Sequence, residues 1–324
     1  MKAMVSKQYG SPSVMHLEDV PKPMPKENEL LVKIKASSVN ALDWHFLRGS
    51  PLFMRLQFGL FKPKITILGY DIAGEVEAVG AGVTRFKPGD EVFGGLGFRL
   101  GGFAEYACIA EDGFVAHKPP HLSFEEAAAV PVAGVTALKA LRDTGHVREG
   151  MSVLVNGAAG GVGTFSVQIA KSFGAQVTAV CSTKNLDLVR SIGADNAIDY
   201  TREDFTRTGR TYDLVLNNVG NRRVTDLLRT LKPGGVCVIV GFTSVRRLLT
   251  HAVLGPLISK RYGKKIVMAS NEDPKQEEML FLKDLLESRK VVPTIDGKYS
   301  LDRAAEAVGY VETGHARAKV IVTP

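Results

Sequence analysis

Apolar positions alternate in the first part of the chain. Residues 30–36 and 72–80 place apolar side chains at every second position, as strands with one buried face do. Turn residues separate such runs: the prolines between Pro21 and Pro25, Lys87-Pro88-Gly89-Asp90, and the glycines from Gly94 to Gly102. Short strands with frequent turns predict a small barrel or sandwich over about the first 120 residues. Near Leu122 the rhythm changes. Ser123, with Glu126 three residues on, reads as a capping box opening a helix into residues 127–132. Strand and helix then alternate: strands at 153–155, 177–180, 212–216 and 236–240, helices at 162–173 and 186–192, and a further helix ending at Lys232-Pro233-Gly234-Gly235. These strands are continuous runs of Val, Ile and Leu. Such runs are buried on both faces and predict a parallel sheet covered by helices. The tail, 277–322, reads as a long helix, an extended stretch, a second helix and a last strand, 318–322.

Composition narrows the class. The 324 residues exceed one ordinary core and fit two domains of roughly 150 residues. With 45% hydrophobic and 23% charged residues, the chain reads as a soluble globular protein. No stretch reaches the ~20 apolar residues of a membrane span, and residues 1–7 lack the features of a signal or transit peptide. The expected location is the cytoplasm. Cys108, Cys181 and Cys237 are far apart, which argues against a disulfide framework or a cysteine-rich zinc site. The net charge is +7, but the basic pairs (Arg222-Arg223, Arg246-Arg247, Lys260-Arg261, Lys264-Lys265) are dispersed and carry no nucleic-acid-binding motif.

The chemistry concentrates at Asn156-Gly157-Ala158-Ala159-Gly160-Gly161-Val162-Gly163, between a buried strand and a helix. Small residues there let the chain reverse tightly and approach a pyrophosphate, which the helix N-terminus receives with free N–H groups. A dinucleotide is predicted. NAD-specific sites usually carry an acid about 20 residues beyond the turn. Here the second strand ends in Cys181-Ser182-Thr183-Lys184-Asn185. A hydroxyl and an ammonium suit a 2′-phosphate, so Ser182 and Lys184 predict NADPH. Ser182 is equally placed to cap the following helix.

The chain resembles the medium-chain dehydrogenase/reductases, in their zinc-independent quinone-oxidoreductase branch, close to the alkenal/one reductases. The resemblance spans nearly the whole chain. It rests on Val39-Asn40-Ala41-Leu42-Asp43, Leu68-Gly69-Tyr70-Asp71-Ile72-Ala73-Gly74, Phe86-Lys87-Pro88-Gly89-Asp90-Glu91-Val92, Gly102-Phe103-Ala104-Glu105-Tyr106, the glycine turn and Ser191-Ile192-Gly193-Ala194-Asp195. It implies an α/β architecture: a doubly wound Rossmann domain at 122–271, inserted in a GroES-like β-barrel catalytic domain made of 1–121 and 272–324. It implies an active site in the cleft between the two, and a homodimer. The zinc-dependent branch has Cys where this chain has Asn40, and His-Glu where it has Tyr70-Asp71. Asn40 and Tyr70 cannot supply the N and S ligands of a catalytic zinc, so no metal is expected. Carried over residue by residue, Ala158, Gly160, Gly161, Val162 and Gly163 form the pyrophosphate turn. Ser182, Lys184 and Tyr200 match the 2′-phosphate positions. Thr136 lies near the nicotinamide phosphate, and Asn218-Val219-Gly220 and Gly241-Phe242-Thr243 line the ribose and nicotinamide.

Without a Lewis acid, nothing lowers the pKa of an unactivated alcohol, whereas a quinone or enone accepts hydride readily. The expected activity is NADPH-dependent reduction of a small hydrophobic electrophile, with Asn40 and Tyr70 as the polar groups near the acceptor oxygen. Asp43 is expected to order its loop. Two alternatives stay open: an enoyl-thioester reductase and a non-catalytic NADPH-binding scaffold or sensor. The apolar stretches 50–61 and 248–258 are open to three uses: a pocket wall, a subunit interface or a membrane contact.

Overall fold

The computed structural model describes residues 1–270 and 272–324, and the side chains of these except Phe53 and Gln57. Asn271, where the sequence-based central domain ends, lies outside the described residues, as do those two side chains of the 50–61 stretch. The chain forms two compact units. Met1–Val135, Asp273–Glu287 and Pro293–Pro324 make one; Thr136–Glu272 and Ser288–Val292 make the other.

The first unit begins with an antiparallel pair, β1 (Lys2–Val5) and β2 (His16–Asp19). Five strands follow: β3 (Glu29–Val39), β4 (Asp71–Val79), β5 (Glu91–Gly95), β6 (Tyr106–Ala110) and β7 (Val115–His117). β3 is the hub, pairing antiparallel with both β4 and β6, and β5 bridges β4 to β7. The alternation read in the sequence is the reason. Leu30, Val32 and Ile34 of β3 meet Ile72 and Val76 of β4 in one buried cluster, while Lys33 and Glu75 point outward. Helices α1 (Ala41–Arg48) and α2 (Phe53–Phe58) connect β3 to β4. The 50–61 stretch is thus partly helical rather than a plain loop. Met54 and Phe58 pack inward, while Leu56 and Phe61 are exposed. Helices α3 (Phe124–Ala128), with the expected Ser123–Glu126 capping box, and α4 (Pro131–Leu138) lead to the second unit. The switch between units falls later than composition suggests. The Val132 N–H bonds Asp71 Oδ1 (3.0 Å) and Lys298 pairs with Glu125 (2.8 Å), holding these residues to the first unit.

In the second unit, β8 (Ser152–Asn156), α5 (Gly161–Ser172), β9 (Gln176–Cys181), α6 (Leu186–Ser191), β10 (Asn196–Asp199), β11 (Tyr212–Asn217), α7 (Val224–Arg229) and β12 (Leu231–Ile239) alternate. Two short helices, α8 (Val245–Leu249) and α9 (Gly255–Lys260), precede β13 (Lys265–Met268). The sheet is wholly parallel, in the order β10-β9-β8-β11-β12-β13. Strand order reverses between β8 and β11, the place where open α/β sheets bind ligands. Two corrections arise here. The helix expected to end at Lys232–Gly235 ends at Arg229, and 232–235 belong to the irregular start of β12. β10 and β13 have only four residues each, too short for a periodic signal, and the alternation did not reveal them.

The chain then returns to the first unit through α10 (Gln276–Glu287), β14 (Ile295–Ser300), α11 (Ala304–Glu312) and β15 (Lys319–Thr323). β15 lies antiparallel to β3, with Val320 opposite Val39 and Val322 opposite Ser37. This places the Lys319 side chain in the interior at 2% exposure, beside a wholly buried Asp71. Lys319 Nζ donates to Asn40 Oδ1 (2.5 Å) and lies 3.3 Å from Asp71 Oδ2. That same oxygen accepts from Ser38 Oγ (2.6 Å) and Asn40 Nδ2 (2.9 Å). Burial lowers the Lys319 pKa, while Asp71 opposes the shift. Removing one partner of such a pair strands the other charge. Lys319→Met should therefore cost about 3–5 kcal/mol in urea unfolding, and Lys319→Met with Asp71→Leu should recover part of that loss. A single variant as stable as the parent would show that the pair does not hold the tail.

Candidate active site

The glycine turn is built by close approach. Gly157 has φ +81°, and a Cβ there would lie 2.7 Å from Val219 Cγ2. A Cβ on Gly163 would lie 2.0 Å from the Gly157 carbonyl oxygen, so only glycine lets α5 start this near the turn. The N–H groups of Gly157 and Ala158 both donate to the Val180 carbonyl (3.1 Å each), and that of Gly160 to Gly157 (3.2 Å). The N–H groups of Gly161, Val162 and Gly163 have no partner among the described residues. They are the free donors at the head of a twelve-residue helix, next to the switch point.

Ser182 and Lys184 follow β9, and Tyr200 follows β10 at the same edge of the sheet. Ser182 does not cap the next turn; its Oγ accepts from Asn185 Nδ2 (3.2 Å), which leaves buried Asn185 Oδ1 without a partner. Lys184 and Tyr200 are exposed. An acid does stand nearby, in a position the linear reading did not see. Asp199 ends β10 beside Cys181, and its carboxylate accepts from Thr183 Oγ1 (2.5 Å) and Thr201 (2.7 Å). Those hydroxyls hold its pKa below the usual range.

Past β11 the predicted loops meet. A Cβ on Gly241 would touch the Asn218 carbonyl oxygen at 2.1 Å, so 218–220 and 241–242 pack backbone to backbone. Phe242 is half-buried and Thr243 exposed. An asparagine cluster sits there that the sequence reading only partly identified. Asn156 Nδ2 donates to Asn217 Oδ1 (2.9 Å), which also accepts from the Gly220 N–H (3.0 Å). Asn217 Nδ2 and both polar atoms of the Asn218 side chain are buried with no partner. Orphaned amides of this kind are costly unless a ligand meets them. Free donors, enforced glycines and unmet amides together fit a dinucleotide. Thr136 is half-buried on α4, with no hydrogen bond to the turn.

Asn40 and Tyr70 belong to the first unit. Asn40 is the N-cap of α1, in a capping box with Asp43. Its amide is engaged by Lys319, Asp71 and, at 3.4 Å, the Ser38 carbonyl, so it turns inward to the ion pair. Asp43 accepts from the N–H groups of Asn40 (2.7 Å) and Gly69 (3.0 Å), tying the start of α1 to the segment before β4. Burial raises its pKa to about 7 against these bonds.

Tyr70 lies over Gly95, where a Cβ would meet the ring at 2.2 Å. Although it is 7% exposed, its hydroxyl has no hydrogen bond among the described residues. Burial, then Asp71 and Asp273, raise the phenol's pKa, so it stays protonated. The residue lines a cavity of about 230 Å³ with Leu96, Phe98, Cys108, Phe114 and Asp273. Burial, with Glu29 nearby, pushes the Cys108 thiol up to about 11. Phe58 of the 50–61 stretch borders a cavity of about 10 Å³, room for a single water. Among the described residues, no three His, Cys, Asp or Glu side chains converge as metal ligands.

Known proteins share the fold of this chain. Residues 26–120 match the alcohol dehydrogenase GroES-like domain family, and residues 192–322 the family described as zinc-binding dehydrogenase. A 2-methylene-furan-3-one reductase of Solanum lycopersicum is 39% identical, covering 100% of this chain and 79% of its own length. An NADPH-dependent alkenal/one oxidoreductase of Arabidopsis thaliana, described as chloroplastic, is 36% identical over 100% and 80%. The structure of a quinone oxidoreductase from Coxiella burnetii superposes with TM-score 0.87 at 32% identity, covering 100% of this chain and 99% of that one.

The unmet Asn218 amide should be a burden in the ligand-free chain. Asn218→Ala is expected to raise ligand-free stability by about 1 kcal/mol while weakening nicotinamide-dinucleotide binding roughly tenfold, read by urea unfolding and fluorescence titration. Loss of stability in that variant would mean the amide is already satisfied. Asp43 binds its proton more tightly in the folded chain. Its contribution to stability is therefore full below the unfolded value of 3.8 and is lost as pH rises through about 7. Relative to the parent, Asp43→Asn should fare better at pH 8 than at pH 5, by about 2 kcal/mol. A pH-independent difference would contradict the shift.

Proposed function

We infer that this chain, which belongs to the medium-chain dehydrogenase/reductase superfamily alongside quinone oxidoreductases and alkenal/one reductases, passes a hydride from NADPH to a quinone or to the activated C=C bond of an α,β-unsaturated carbonyl. Tyr70 carries the reading: a buried, protonated, unpartnered phenol on a cavity large enough for a small acceptor. Bound NADPH supplies the hydride. As charge develops on the acceptor's oxygen, the Tyr70 hydroxyl donates a hydrogen bond to it. A phenol held protonated acts there as a donor and not as a base. The proton that completes the quinol or the saturated carbonyl comes from water. Leu96, Phe98 and Phe114 give the acceptor an apolar wall. Asn40 acts one step back, by fixing Asp71 next to Tyr70. An amide and a phenol stand where the zinc-dependent branch needs N and S ligands, which supports a metal-free reduction.

Gly160 to Gly163, with the free N–H groups, hold the pyrophosphate in this reading, and Ala158 shapes the turn. Ser182, Lys184 and Tyr200 take the 2′-phosphate, and Lys184 provides the charge. Asn218, Val219 and the loop 241–243 take the ribose and nicotinamide, with Thr136 near the adjoining phosphate. We assign the cofactor to residues 122–271 and the acceptor to 1–121 and 272–324. Three free thiols suit a reducing compartment, and we propose the cytoplasm. We also propose a homodimer; β13 leaves one edge of the parallel sheet unpaired.

The test is NADPH consumption against a panel of quinones, enals and enones, with NADH as control. Turnover is expected with NADPH, and Lys184→Glu should abolish the preference over NADH. Tyr70→Phe should lower kcat/KM by roughly a hundredfold without changing the NADPH Kd. Silence across the panel would overturn the reductase, and tighter binding of NADH would overturn the cofactor assignment.

A further inference from the structure

The helical stretch between β12 and β13 is packed the wrong way round for a surface helix. α8, a π-helical turn (Thr250–Leu254) and α9 follow one another without a break. Their fully buried residues are His251, Gly255 and Ser259, four apart and small or polar, with Ile258 packing part-buried against the core beside them. Gly255 lets the helix rest on Ile266 of β13, where a Cβ would meet the side chain at 3.0 Å. His251 Nε2 bonds the Arg222 carbonyl (3.0 Å). The outward residues, also four apart, are Val245, Leu249, Val253 and Leu257, exposed by 44%, 58%, 56% and 66%. A surface helix ordinarily shows the reverse arrangement, with its apolar stripe facing the core.

Charge says what the outward face meets. Between Asp226 and Glu272 the sequence holds eight basic residues and no acidic one. Arg246 and Arg247 stand at the start of the helical stretch, and Lys260 and Arg261 at its end. None of these four has a carboxylate partner among the described residues. An apolar ladder between basic pairs suits a surface that is anionic outside and hydrocarbon just beneath.

We propose that residues 245–261 dock this protein on the surface of an anionic lipid bilayer, with Leu249, Val253 and Leu257 entering the headgroup boundary and the basic pairs meeting lipid phosphates. It is peripheral attachment: among the described residues no helix is long and apolar enough to cross a membrane. Each basic side chain near such a surface adds roughly tenfold or less to the affinity, and salt screens that part.

The experiment is co-sedimentation of the full chain with vesicles of phosphatidylcholine alone, or mixed with phosphatidylglycerol at about one part in three, at low and high salt. Binding is expected only to the anionic vesicles, weakened by salt. Leu249→Ser with Leu257→Ser should lower it at least about tenfold, as should Arg246→Glu with Arg247→Glu. Both leucines are exposed, so the first variant should keep the parent's thermal unfolding and NADPH Kd. No sedimentation with anionic vesicles would overturn the proposal, and so would binding that both variants leave unchanged. A change of solution mass in the leucine variant, read by light scattering, would equally overturn it, because a second copy of the chain would then be what covers the ladder.

Discussion

An ammonium and a carboxylate with almost no access to water are hard to keep in a protein. The Lys319–Asp71 pair survives because every oxygen of Asp71 is met: one by the Val132 N–H, the other by Ser38, Asn40 and Lys319. These partners come from four places along the chain, the end of β3, the cap of α1, the start of α4 and β15, and meet on Asp71 at the start of β4. The pair therefore does more than neutralise charge. It fixes where the returning β14–β15 pair joins the strands β3 to β7 of the first unit, which lie far earlier in the chain. The helix start at Asn40, the corner held by Asp43 and the placement of Tyr70 all depend on that junction.

This dependence gives Asn40 a different part from the one its position in the sequence suggests. Read linearly, an amide in the place of a metal ligand looks free to meet a substrate. Folded, both ends of the amide are taken up by charged neighbours. Tyr70 is the opposite case. It is next to Asp71 in sequence, yet its ring turns onto Gly95 and its hydroxyl has no hydrogen-bond partner among the described residues. Two adjacent positions thus divide the labour: Asp71 is committed to structure, and Tyr70 is kept available.

The legible features were those whose cause is local. The glycine turn announces itself because strand, turn and helix are contiguous, and the steric demand at Gly163 and the positive φ at Gly157 arise within the turn itself. The Ser123 capping box and the β3 and β4 alternation are local in the same sense. What escaped the linear reading needs two distant segments. Asp199 neighbours Thr183 only because β10 runs parallel to β9. Asn156 and Asn217 meet only because β8 and β11 are adjacent. Lys319 carried a faint signal, a lone charge opening the apolar run 319–322, but its partners lie more than 240 residues away. The helix at 53–58 was hidden for another reason. Its apolar residues are too many and too evenly spread to show which face is buried.

Burial also decides what the three cysteines can do. Burial pushes the Cys108 and Cys181 thiols up to about 11, and that of the wholly enclosed Cys237 higher still. At neutral pH only on the order of one Cys108 in ten thousand is a thiolate, the form that attacks electrophiles. Quinones and enones are soft alkylating agents, and Cys108 borders the very cavity assigned to them. If the cavity takes such acceptors as proposed, the burial that raises the Cys108 pKa leaves the sulfur beside it a poor nucleophile towards them.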